Sequence, residues 1–118
     1  MSRRAWFGLA LDVVLVLGFV LIGRRSHDEG SEWWGVWSTL WPFLGSLLGG
    51  WVASRSWRRP DQVAPAGLIV WAVTVAGGIL LRVVSGQGVQ PSFVIVTAIV
   101  LAVFLLGRRA LSRRVGRT

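Results

Sequence analysis

Four apolar stretches, each close to the length that crosses a lipid bilayer, divide this chain and leave few folds open to it. A bilayer core of about 30 Å takes roughly 20 residues of α-helix. The first stretch runs from about Ala5 to Ile22, the second from about Gly35 to Ser54, the third from about Ala66 to Val84 and the fourth from about Ser92 to Gly107. The fourth is the shortest, and snorkelling of Arg108 and Arg109 towards water would complete it. Of 118 residues, 53% are hydrophobic and the mean hydropathy is +0.62, more than a soluble domain of this length carries comfortably. Pro65 and Pro91 stand just before spans three and four, where a missing N–H costs nothing. Pro42 lies inside span two and predicts a kink there.

Short connections make neighbouring helices antiparallel. The expected architecture is therefore all-α: one four-helix transmembrane bundle over residues 1–118, with helices at about 5–22, 35–54, 66–84 and 92–107 and a basic tail over 108–118. All thirteen positive side chains are Arg. Ten of them (Arg3, Arg4, Arg55, Arg58, Arg59, Arg108, Arg109, Arg113, Arg114 and Arg117) fall on one side of this topology, and Arg24, Arg25 and Arg82 on the other. By the positive-inside rule both termini are cytoplasmic, in a multi-pass protein of the plasma membrane. The start, "MSRRAWFGLALD", loosely resembles a twin-arginine signal, but an acid interrupts its apolar region and "LIGRRSH" is a poor cleavage site. An uncleaved first helix is expected. The tail "RRALSRRVGRT" reads either as a topology anchor or as a basic interfacial helix continuing span four.

The chain lacks cysteine, which excludes disulfides and thiolate chemistry, and its one histidine, His27, has no metal-site spacing around it. No cofactor and no metal are expected. The net charge of +8 would suit nucleic acid, but the arginines flank apolar spans, so the membrane reading stands and no nucleic-acid partner is expected.

One carboxylate interrupts span one: Asp12, in "LALDVVLVLGF", with no charged residue within seven positions. At 1.5 Å per residue Asp12, Ser46 and Thr74 fall in one layer roughly 10–12 Å deep, with Arg82 about 12 Å further out. The reading is an intramembrane polar layer in which an acid remote from any cation stays neutral and donates a hydrogen bond. Two roles remain open: proton or cation coupling, or a structural hydrogen bond between helices.

Span two separates a bulky stripe (Trp34, Trp37, Trp41, Leu44, Leu48 and Trp51) from a small face in which Gly45 with Gly49, and Ser46 with Gly50, make two small-xxx-small pairs. Trp34, Trp37, Trp51 and Trp57 read as indoles of the water interface. Trp41 and Trp71 lie deeper and are candidates for contact with a lipophilic molecule. Gly67, Trp71, Thr74, Gly78 and Arg82 share one side of span three. At the outer end Arg82, Arg24 and His27 form a basic and polar group within reach of Asp28, Glu29 and Glu32.

The acid in span one, "GRRSH" after it, "LWPFLGSLLGGW" in span two, "VWAVTVAGGILLR" in span three, and "FVIV" with a closing "GRR" in span four together resemble a family of small prokaryotic membrane proteins, domain of unknown function 3054, over roughly residues 8–109. The resemblance implies a four-helix integral membrane protein and assigns no activity and no site residues. Two functional readings follow. One is a small proton- or ion-coupled transporter or channel-like oligomer using Asp12. The other is a non-catalytic accessory, assembly or scaffold subunit. An enzyme is not expected, since one histidine and scattered carboxylates offer no acid–base pair at membrane depth. The expected partners are the lipid bilayer and either a second copy of the chain or another membrane protein.

Overall fold

The computed structural model describes residues 1–26 and 33–116, with the side chains of residues 24–26, 33–34 and 113–116 left aside. Among the described residues the chain is helical, with no strand. Helix α1 covers Arg3–Ser26 and α2 covers Trp33–Ser54, running through Pro42 as one helix. Helix α3 covers Leu68–Val84 and α4 covers Pro91–Leu101. One wide turn at Ala102–Leu106 passes directly into α5, Gly107–Gly116. The backbone stays right-handed helical through both junctions, so α4 and α5 form a single rod. Four helical rods therefore match the four apolar stretches. Three segments, Arg3–Gly23, Val63–Val84 and Pro91–Ser112, are long and apolar enough to cross a membrane. Helix α2 is long enough, but its tryptophans, glycines and hydroxyls keep it below that apolarity.

The helices outrun the apolar stretches because nothing stops them where hydrophobicity ends. Arginine propagates a helix well, so α1 begins at Arg3 and the last rod continues through "GRRALSRRVG". Real stops occur where cap geometry supplies them. Helix α3 ends with Gly86 at φ +82°, its N–H donating to Val83 O at 3.1 Å, while Gln87 N–H reaches back to Arg82 O at 2.9 Å. That paired closure satisfies the last carbonyls and needs a left-handed residue, for which glycine is the usual choice. Helix α2 closes identically, with Arg55 N–H on Val52 O at 3.2 Å and Ser56 N–H on Trp51 O at 3.0 Å. Here the left-handed residue is Arg55 itself, at φ +54°.

The core runs down the bundle axis. Phe43 of α2 meets Phe19 of α1 edge-on at 5.5 Å and Phe93 of α4 at 6.1 Å, and Val16, Val20, Leu47, Val70, Leu101 and Leu105 pack around them. Of the two small-xxx-small pairs, one is used. Gly50 lies against the backbone of Val70, Ser46 sits on Gly77 and Phe43 on Gly78, so α2 and α3 approach closely along that face. Gly45 has open space before it, and Gly49 has a single neighbour, Val73, at the edge of contact.

The wide turn in the last rod has a purpose in packing. Thr97, Leu101, Leu105 and Arg109 are all fully buried and spaced by four. A four-residue repeat drifts about 40° per step around a 3.6-residue helix, so the stripe would wind off the core. A π-type turn holds more residues per revolution and removes that drift. Arg109 thereby ends on the same inward line as Thr97.

Candidate functional site

The inward line leads to Asp12. Its carboxylate is wholly buried and accepts five hydrogen bonds. Arg109 grips it as a fork, Nη1 to Oδ1 at 3.2 Å and Nη2 to Oδ2 at 2.8 Å. Arg108 approaches from the side, donating from Nε at 3.1 Å and Nη2 at 3.0 Å to Oδ1. The indole Nε1 of Trp51 donates to Oδ2 at 2.8 Å. Both oxygens are acceptors, and four of the five donors are guanidinium N–H groups. Such charge-assisted bonds are roughly twice as strong as neutral ones.

The cluster continues outward. Arg108 Nη1 donates to Asp61 Oδ1 at 2.7 Å and its Nη2 also reaches Pro60 O at 3.1 Å. Asp61 Oδ2 accepts from Arg4 Nε at 2.8 Å. One chain of ion pairs thus runs Arg109–Asp12–Arg108–Asp61–Arg4. With the Trp51 bond to Asp12, it ties the first half of α1, the last turn of α2, the α2–α3 loop and the α4–α5 rod together at one end of the bundle, so α1 and α2 run antiparallel. Two glycines make room for it. A Cβ on Gly67 would sit 2.8 Å from Arg109 Cδ and 2.8 Å from Gln62 O, and one on Gly8 would sit 3.1 Å from Pro60 Cβ.

This corrects the expected surroundings of Asp12. Asp12, Ser46 and Thr74 are all buried, at 0, 6 and 0% exposure, but the acid is held by Arg108, Arg109 and Trp51, and Thr74 Oγ1 is buried without a hydrogen-bond partner. Acid and cations are adjacent, so the picture of a neutral Asp12 remote from any cation is replaced by an ion-pair cluster. The physical reason is reach. Counting backbone depth put Arg108 and Arg109 at the membrane edge, snorkelling outward. A rod that continues past them places both within a helix, and their long side chains turn inward to the buried charge. Arg109 is 0% exposed and Arg108 9%. Trp51 is likewise buried rather than interfacial, at 3%. The four-residue spacing from Thr97 to Arg109 was the available signal.

The other candidates lie elsewhere. Arg82 is partly buried near the opposite end of α3, donating from Nη1 to Gln87 Oε1 at 3.2 Å and standing 4.8 Å over the Phe93 ring. Trp71 donates to the carbonyl of Ala98 at 2.9 Å and so fastens α3 to α4. Trp41 is half-buried on α2. His27, with Asp28, Glu29 and Glu32, lies outside the described residues, as does the side chain of Arg24. Among the described residues no group of acids and histidines could hold a metal ion.

A family model described as "Protein of unknown function (DUF3054)" matches residues 9–112. Comparison with curated proteins and with solved structures gives no match. The matched region takes in Asp12, Trp51, Asp61, Arg108 and Arg109, nearly the whole cluster, and the chain belongs to the DUF3054 family.

Proposed function

We propose that the chain is a multi-pass integral membrane protein of the plasma membrane, both termini cytoplasmic, that works as a non-catalytic accessory, assembly or scaffold component. The membrane placement is supported by an inverted distribution of side chains. Phe7, Val14, Ile22, Val52, Leu80, Val84, Ile95, Ile99 and Val103 are each more than half exposed around the bundle, while Asp12 and Arg109 are sealed inside. Water would oppose so much exposed apolar surface, and lipid would not. The bundle is 42 Å long, comparable to a bilayer with its headgroups. The arginine asymmetry supports the orientation, since the end holding the Asp12 cluster is also the basic end.

The observation that carries the accessory reading is the saturation of Asp12. A coupling carboxylate must exchange its proton or ion during each cycle. This one has both oxygens occupied by five donors, and releasing them would strip the fully buried Arg109 of its one carboxylate partner among the described residues and leave Arg108 with Asp61 alone. Breaking a buried ion pair by removing one partner costs about 3–5 kcal/mol. The cluster therefore supports a fastening role at the cytoplasmic end, with function exercised through the helix surfaces. The test is reconstitution into liposomes with pH-dependent proton and cation flux as readout, alongside mass spectrometry of what co-purifies in mild detergent. Flux equal to that of empty liposomes, with a stoichiometric membrane-protein partner, is the expected result. Flux above that background, abolished by Asp12→Asn in a protein that still folds, would overturn it.

A further inference from the structure

Beyond the buried cluster, the same end of the bundle carries an open cleft of about 400 Å³ between the start of α1 and the α2–α3 loop, lined by Ser2, Arg4, Arg58, Arg59, Asp61 and Gln62. Its size lies within the range of small-molecule sites. Its charge is not balanced. Asp61 is the one acid in the wall, and both its oxygens are already taken, by Arg108 and Arg4. Arg4 commits only its Nε to that pairing. Arg58 and Arg59 are exposed, and no carboxylate among the described residues lies within ion-pair distance of either. Ser2 adds the capped N-terminal end of α1, its Oγ accepting from Ala5 N–H at 3.0 Å, where the helix dipole is positive. An excess of guanidinium donors around a cleft, beside a helix N-terminus, is matched by a phosphate group, whose planar faces of oxygens take forked N–H donors.

We propose that this cleft binds a phosphate group, and that the phosphate is the diester of an anionic phospholipid headgroup in the cytoplasmic leaflet. The site stands on the cleft's own geometry and charge and not on the accessory role, while its assignment to the cytoplasmic leaflet rests on the membrane placement and orientation proposed above. Juxtamembrane arginines draw anionic headgroups in this way. Asp61, held by two arginines, sits at the back of the cleft as the link between any bound headgroup and the Asp12 cluster.

The test uses the full chain in detergent micelles, with native mass spectrometry counting retained lipid. Phosphatidylglycerol and phosphatidylcholine are added at equal amounts, and a parallel thermal-shift series adds inorganic phosphate against chloride at matched ionic strength. Phosphatidylglycerol is expected to be retained over phosphatidylcholine. Arg58→Gln with Arg59→Gln, both outside the buried cluster, is expected to lower that retention about thirtyfold, from roughly fivefold per arginine near a membrane surface. Arg24→Gln with Arg25→Gln, at the other end of α1, removes the same charge and is expected to leave it unchanged. Protection by inorganic phosphate that the first double variant loses, without lipid preference, supports a phosphate site but overturns the lipid as its source. Equal loss in both double variants, or no response to either probe, overturns the site.

Discussion

Replacing Asp12 by asparagine keeps the shape of the side chain and removes its charge, so it isolates what the cluster contributes. The geometry sets the outcome. An amide offers one accepting oxygen. With that oxygen at the Oδ1 position, the two bonds from Arg108 and one from Arg109 survive, but the NH2 then faces Trp51 Nε1 and Arg109 Nη2, donor against donor. Flipped, it keeps two bonds and opposes three. Either way the buried Arg109 loses its counter-charge and Arg108 keeps only Asp61, in a site that excludes solvent, and the expected destabilisation is about 3–5 kcal/mol. Unfolding in mixed micelles by titration with sodium dodecyl sulfate, followed by tryptophan fluorescence and circular dichroism, measures it. Trp51→Phe supplies the second arm of a cycle. Alone it removes a bond to a charged acceptor, worth about 1.5–3 kcal/mol. In the Asp12→Asn background it removes a donor from an opposed pair and is expected to cost little, giving a coupling of at least ~1 kcal/mol. An Asp12→Asn protein as stable as the parent within about 0.5 kcal/mol, with additive effects in the cycle, would refute the ion-pair account of this site.

Other perturbations separate the remaining claims. Gly78→Ala drives a methyl group into the Phe43 ring and is expected to destabilise by about 1–3 kcal/mol, whereas Gly45→Ala meets open space and is expected to be neutral or to gain up to ~1 kcal/mol of helix propensity, both read by the same titration. Arg55→Gly relieves the left-handed backbone and is expected to raise stability by about 1 kcal/mol, seen as a higher midpoint with unchanged cooperativity. Thr74→Val removes a buried hydroxyl that has no partner and is expected to be neutral or stabilising by up to ~1 kcal/mol; a loss larger than that would mean the hydroxyl is bonded.

Hydropathy made the four helical rods legible to within a few residues at most ends, because burial in lipid or in the bundle demands apolar runs of that length. The ends were less legible. Arginine is polar yet propagates helix, so loss of hydropathy at Arg3 and Gly107 did not mark a boundary, while Arg55 and Gly86 did so through backbone geometry. Asp12 stood out as the singular residue of span one, and its burial follows from its place in the chain. Its partners did not follow, because depth counted along a straight helix carries no information on where a long side chain turns. Arg108 and Arg109 each have a water-facing and a core-facing option of similar reach. The choice belongs to a charge nearly one hundred residues away in sequence. Trp51 was misread for the same reason: an indole three residues from a helix end suits an interface equally well, until an acceptor lies within reach of its N–H.

The wide turn at Ala102–Leu106 also limits how this protein can be resized. Many membrane-crossing helices gain or lose a residue and adjust to a thicker or thinner bilayer by tilting. In the last rod, every residue added or removed between Thr97 and Arg108 swings the two arginines by about 100° around the axis and carries them away from Asp12. The length of that segment is thereby quantised. Adaptation to another membrane must come from tilt of the whole bundle, since at the far end of the rod Arg82 stands over the Phe93 ring and fixes the register there too.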